Sequence, residues 1–148
     1  MPVPYTFASA TSNLPLQQLD DNFAVCATLT GTETLTNKRI NPRVVTAAST
    51  ATLAPDISSG DQYNLTAQAV ALSVSAPIGS LQSPVDGNKL MFRILDNGTA
   101  RAITWNATYT AIGVTLPTTT TVNKTTYVGC IYNANNTRWD VIAVTTQA

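Results

Sequence analysis

Histidine is absent from this sequence of 148 residues, and its absence closes several routes to chemistry. Ser-His and Cys-His nucleophilic machinery and the common zinc sites cannot be built without an imidazole. Charge is also scarce. Charged residues make up 11% of the chain, well below the usual share of about 25%, and threonine, asparagine, serine and glutamine supply the polarity instead. Eight basic residues balance eight acidic ones, with no basic block longer than Lys38-Arg39. Nucleic acid is therefore excluded as a partner, because phosphate neutralisation needs a concentrated positive surface. A near-neutral chain also tends to self-associate.

No apolar run approaches the roughly 20 residues that span a bilayer, and "MPVPYTFASATSN" has neither the positive start nor the apolar centre of an export signal. No membrane insertion is expected. Only two cysteines are present, Cys26 and Cys130. Far apart and without a metal-binding partner, they read as two small buried hydrophobes in a reducing compartment, a mutual disulfide being the other reading.

The chain changes character along its length. Two prolines in "MPVPY" favour an extended arm over residues 1–13. In "NLPLQQLDDNFAVCATL", Leu16, Leu19 and Phe23 recur at three- and four-residue spacing, and Pro15 suits a first helical turn, so a short amphipathic helix is expected. So short a helix needs cover for its apolar stripe, either from its own domain or from other chains. "GTETLTNKRINPRV" then alternates Thr32, Thr34 and Thr36 with Glu33 and Leu35, a period of two typical of β structure. A segment this polar needs ladder partners that it cannot supply alone.

From about residue 43 the pattern is plainly β. "RVVTAASTATLAP" holds one or two strands and "DQYNLTAQ" another, while "AVALSVSAP" places Val70, Leu72 and Val74 on one face. "KLMFRILDNGTARAITWN" reads as a hairpin around Asn97-Gly98. In "YVGCIYN", Val128, Cys130 and Tyr132 share a face, and the loop "NANNT" joins that strand to "RWDVIAV". Short strands with frequent turns predict a mainly β fold, an antiparallel β-sandwich of jelly-roll type carrying an extended arm and a short helix at its N-terminal side. Its predicted core is Leu72, Val74, Leu90, Phe92, Ile94, Ile103, Trp105, Ile131, Trp139 and Val141.

A catalytic reading would have to use Asp20, Asp21, Glu33, Asp56, Asp61, Asp86, Asp96 or Asp140. Paired carboxylates could cleave glycosides, but Asp86 and Asp96 sit in "VDGN" and "LDNG", where a carboxylate serves turns. Asp140 is expected to pair with Arg101 or Arg93 across the sheet. Asp20-Asp21-Asn22 lacks the alternating oxygens and glycine of a calcium-binding loop. Glycosylation sequons at Asn64, Asn97, Asn106, Asn123 and Asn135 are what a chain rich in Asn and Thr produces by chance. Tyr5, Tyr63, Tyr109, Tyr127, Tyr132, Trp105 and Trp139 read as core and interface aromatics, an exposed sugar-binding surface being the alternative. No catalytic, cofactor-binding or metal residue and no cofactor are expected.

Two stretches carry a resemblance. "TFASATSNLPLQQLDDNFA" resembles the opening of tailed-bacteriophage virion proteins, and "GTETLTNKRI" resembles an element recurring in phage tail-fibre and head-fibre proteins, with Arg39 where those carry threonine. The segments "DGNKLMFRILDNGTARAITWNATY" and "LPTTTTVNKTTYVGCIYNANNTRWDVIAV" look like a compact C-terminal β domain of such proteins. The resemblance implies a non-enzymatic homotrimer on the virion surface, made in the host cytoplasm. Residues 1–45 would form the attachment arm, helix and neck, and residues 46–148 the head. Particle attachment would fall to Tyr5, Phe7, Leu14, Leu16, Leu19 and Phe23, and the trimer neck to Thr32, Thr34, Leu35, Thr36 and Ile40. The implied partners are capsid or tail proteins. A capsid decoration or head fibre is the expected role, with a short tail fibre binding a host-surface receptor or glycan as the alternative.

Overall fold

The computed structural model describes residues 39, 41–79 and 83–148, and the body they form runs from Asn41 to Ala148. Nine strands build it: β1 (Val44–Ala47), β2 (Thr52–Leu53), β3 (Gln62–Gln68), β4 (Leu72–Val74), β5 (Lys89–Asp96), β6 (Ile103–Trp105), β7 (Tyr109–Ala111), β8 (Thr125–Asn133) and β9 (Arg138–Thr146). The mainly β class read from the sequence is the class observed. One sheet has six strands in the order β1-β3-β5-β8-β9-β7, and the other has three in the order β2-β4-β6.

The pairing corrects the expected antiparallel arrangement. β1, β3 and β5 run parallel in the larger sheet, and β2, β4 and β6 run parallel in the smaller. The chain thus makes three successive passes, each crossing from the larger sheet to the smaller. Among the named strands antiparallel pairing enters with β8, which lies against β5 and turns back into β9, while β7 joins β9 in parallel; one further antiparallel bridge joins Ala102 to Thr119. The sequence reading failed here because alternation reports which face is buried and is indifferent to the direction of the neighbouring strand.

Asn97-Gly98 shows the same error locally. The pair does not close a hairpin, since β5 and β6 lie in different sheets. Gly98 takes φ +103 and its amide donates to the Asp96 carboxylate at 2.7 Å. The positive φ turns the chain out of one sheet and into the other. The hairpin that does form is β8–β9, closed by a 3-10 turn at Ala134–Asn136, in the "NANNT" loop where it was expected.

The core is continuous across both sheets. Phe92 is fully buried in β5, and Leu65, Leu72, Val74, Leu90, Ile94, Ile103, Val128, Trp139 and Val141 pack around it. The Phe92 ring meets Trp105 edge-on at 5.3 Å and Tyr109 at 5.7 Å, the tilted geometry that aromatic quadrupoles favour. Eight of the ten predicted core residues are buried. Trp105 and Ile131 are only half-buried, and Val70 is exposed rather than sharing the face of Leu72 and Val74. Cys130 is buried with a free thiol, in line with its reading as a small hydrophobe, while Cys26 lies outside the described residues.

Polar side chains stitch successive passes together. The buried amide of Gln68 accepts from the Thr50 N–H at 3.2 Å and donates to the carbonyls of Thr50 and Val70, each at 2.7 Å. Arg43, just before β1, grips Asp61 at 2.5 and 3.0 Å and donates to the carbonyls of Ser58 and Ile57. These contacts satisfy backbone groups that the crossings leave without ladder partners.

Candidate functional site

Every residue expected to attach the particle or build the neck (Tyr5, Phe7, Leu14, Leu16, Leu19, Phe23, Thr32, Thr34, Leu35, Thr36 and Ile40) lies outside the described residues. So do Asp20, Asp21 and Glu33. The carboxylates that are described serve local structure. Asp96 is buried and accepts from Thr120 Oγ1 at 2.5 Å, the Gly98 amide at 2.7 Å and the Asn123 amide at 3.1 Å. Burial alone would raise its pKa, but these bonds together with the Thr99 amide outweigh it and hold the carboxyl below its ordinary value. Asp61 is held low by its hydrogen bonds from Arg43. Asp56 caps its own turn, accepting from Ser58 N–H at 2.8 Å and Ser59 Oγ at 2.9 Å.

Asp140 does not pair with Arg93 or Arg101. Its partners are Asn133 Nδ2 at 2.9 Å and Arg138 Nε at 2.7 Å, and the Asn133 bond, with help from Arg138, lowers its pKa against the effect of burial. Arg93 instead lies 6.0 Å from the centroid of the Tyr127 ring, a cation–π distance. Arg101 is tied by its backbone to Thr120. The register explains the correction: Asp140 sits opposite Ile131, whereas Arg93 sits opposite Tyr127.

The aromatics mostly pack, as expected. Tyr63, Tyr109 and Trp139 are buried, and their polar neighbours are provided for. Tyr63 donates to the Asp56 carbonyl at 2.8 Å, Tyr109 to the Ser75 carbonyl at 3.1 Å and Trp105 Nε1 to the Pro117 carbonyl at 2.8 Å.

Two surface features follow from the register. On the outer face of the larger sheet, Val44, Gln62, Met91, Gly129 and Ala143 stand opposite one another from β1 to β9. Val44 and Met91 are exposed, at 45% and 39%. Gly129 keeps the stripe flat: a Cβ there would sit 3.5 Å from the Ala143 Cβ and 3.7 Å from the Met91 methyl. Sequence reasoning missed this stripe because its members alternate with core residues on five separate segments.

The second feature is a groove of ≈ 290 Å³ at the β8–β9 turn, lined by Asp86, Gly87, Ile131, Tyr132, Asn133, Asn135 and Asp140. Its frame is well fixed. The Val85–Asn88 turn is bonded to Tyr132 through both backbone groups, Gly87 N–H to Tyr132 O at 3.0 Å and Tyr132 N–H to Asn88 O at 2.8 Å. Asp86 accepts from the Ala134 amide at 2.9 Å, so "VDGN" performs turn chemistry on a distant turn. Asn133 caps the 3-10 turn through the Asn136 amide at 3.2 Å. Tyr132 leans on Trp139 at 5.3 Å.

Among the described residues no group of three or more acidic, cysteine or histidine side chains could hold a metal, and no helix is long and apolar enough to cross a membrane. No family model and no curated protein matches the chain. A solved structure of a chaperone-substrate complex aligns with 73% of this chain at 12% identity and a TM-score of 0.43, and the chain spans 18% of that structure's length.

Proposed function

We propose that this chain is a structural, non-enzymatic protein of a bacteriophage particle, a homotrimer on the capsid surface whose residues 41–148 form the outward body. The observation that carries the reading is the flat stripe of Val44, Gln62, Met91, Gly129 and Ala143 across a sheet face, apolar but for Gln62. A net charge of zero provides no general repulsion against self-association through such a face. The resemblance of "LPLQQLDDNFA" and "GTETLTNKRI" to phage fibre elements supports the particle assignment. The engagement of Asp56, Asp61, Asp96 and Asp140 in turns and ion pairs supports a scaffold role for the body.

Sedimentation equilibrium of the purified full chain tests the assembly. Three chains of 15.6 kDa per particle are expected, and Met91→Glu with Ala143→Glu should lower that mass while leaving the β circular dichroism intact. Peptide mass spectrometry of purified virions tests location. A monomer at micromolar concentration, or a chain missing from the virions, would overturn the reading.

A further inference from the structure

We propose that Asn97-Gly98 is a self-modification site, where the chain converts its own asparagine to isoaspartate, and that the Asp96 carboxylate holds it unreacted while the protein is folded. Asn97 is the one asparagine of the sequence followed by glycine. Because that glycine has no Cβ, nothing on it crowds the approach of its backbone nitrogen to the asparagine side chain. Asn97 is also exposed, and among the described residues no hydrogen bond holds its side-chain amide. Other asparagines are tied: Asn88 Oδ1 accepts from the Val85 amide at 2.6 Å, Asn106 Oδ1 from the Thr108 amide at 3.0 Å, and Asn133 Nδ2 donates to Asp140 at 2.9 Å.

The chemistry needs only water. The Gly98 nitrogen gives its proton to solvent, and its electron pair forms a bond to Asn97 Cγ. The Cγ–Nδ2 bond breaks, and Nδ2 takes up protons and leaves as ammonium. An imide ring results, closed through the Asn97 carbonyl carbon, Cα, Cβ and Cγ. Water then opens the ring at either carbonyl. One opening gives an ordinary aspartyl link, and the other an isoaspartyl link, in which the main chain runs through the former side-chain carbon. The balance is amide plus water to carboxylate plus ammonium, with no change of oxidation state.

In the fold the attacking nitrogen is engaged. Gly98 N–H donates to Asp96 Oδ1 at 2.7 Å, and the carboxylate is itself fixed by Thr120 Oγ1 at 2.5 Å and the Asn123 amide at 3.1 Å. A proton shared with an anion is harder to remove, so the step that makes the nitrogen a nucleophile is suppressed. Nor can Asp96 act as the base, because its pKa lies below the ordinary carboxylate value of about 4. The same bond fixes Gly98 at φ +103, which keeps its nitrogen from turning onto the side chain. Once the reaction occurs it is one-way. An isoaspartyl link lengthens the main chain between Asp96 and Gly98, where β5 leads toward β6, and places a new carboxylate next to a buried one. The site does not depend on the trimer or on the virion assignment.

The test incubates the full chain in mildly alkaline buffer, native and unfolded in urea, and follows Asn97 by tryptic digestion and tandem mass spectrometry. Cleavage after Arg93 and Arg101 releases residues 94–101, which contain no other asparagine. The expected result is conversion of Asn97 in urea, largely to isoaspartate, and a rate at least tenfold slower in the native protein. Asp96→Asn replaces the anionic acceptor by a neutral one, and its native rate at Asn97, read separately from the substituted position, should exceed the wild-type native rate at least tenfold. Gln68→Leu, destabilised at a site away from the turn, should react at the wild-type native rate and so separates the local bond from global stability. Equal native and unfolded rates in the wild type overturn the proposal, as does an Asn97 that stays intact in urea. Acceleration in Gln68→Leu equal to that in Asp96→Asn, or none in Asp96→Asn, overturns it as well.

Discussion

The carboxylate of Asp96, at the end of β5, and the hydroxyl of Thr120, 24 residues later, meet at 2.5 Å in the interior. The contact ties the chain's exit from the larger sheet to the segment that flanks β6, since the Ile103 amide donates to the Thr118 carbonyl and the Thr120 amide to the Arg101 carbonyl. Asp96→Asn keeps the shape but offers an NH2 group where N–H and O–H donors point. The substitution should cost about 2–3 kcal/mol, the penalty for leaving buried donors unpaired, measured as a shift of the urea midpoint.

The same residue gives a pH signature. The folded-state pKa of Asp96 is lowered, so its stabilisation is complete above the ordinary carboxylate value of about 4 and is lost as pH falls through the depressed folded value. Thermal midpoints should decline below about pH 4, and the decline should be shallower in Asp96→Asn. An equally steep acid limb in that variant would remove Asp96 as a contributor, leaving Asp61 and Asp140, which are lowered as well.

Gly98→Ala should destabilise by about 1–2 kcal/mol. Gly98 sits at φ +103, and an added Cβ would lie 3.2 Å from Asn123 Oδ1, so both the backbone and its neighbour must give. Gly113→Ala is the informative comparison, because its φ is +70 but nothing lies within 4 Å of the added Cβ. Denaturation curves should show the smaller loss at Gly113.

Gln68→Leu nearly preserves volume at a buried position yet should cost about 2–4 kcal/mol, because it removes at once the acceptor of the Thr50 amide and the donor to the Thr50 and Val70 carbonyls. Gln68→Glu should cost at least as much, since a carboxylate cannot donate to those carbonyls. Chemical denaturation distinguishes this from a merely packed side chain, for which leucine would be tolerated.

Cys130 should be inert in the native protein. Burial pushes its thiol up to about 12, so almost no thiolate is present at neutral pH. Iodoacetamide followed by peptide mapping should show Cys130 unmodified until denaturant is added. Rapid native labelling would mean that β8 opens far more readily than its buried position implies.

Local patterning along the chain was enough for the mainly β class and most of the core. Alternation in "KLMFRILD" placed Leu90, Phe92 and Ile94 inward, because successive side chains of a strand face opposite sides. It also determined the β8–β9 turn at "NANNT" and the structural role of Asp96. Tertiary structure alone decided strand direction, since the alternation of β3 or β5 is identical whether its neighbour runs parallel or antiparallel. It decided the fate of Asn97-Gly98, because a positive φ permits a sharp turn without specifying which sheet receives the next strand. It decided the Asp140 ion pair, which forms at 2.7 Å with Arg138, two residues earlier in the chain, and with neither Arg93 nor Arg101. The stripe and the groove belong wholly to the fold: each gathers residues from separate segments, register bringing Val44 into line with Ala143 and a hydrogen bond between two turns bringing Asp86 to Ala134.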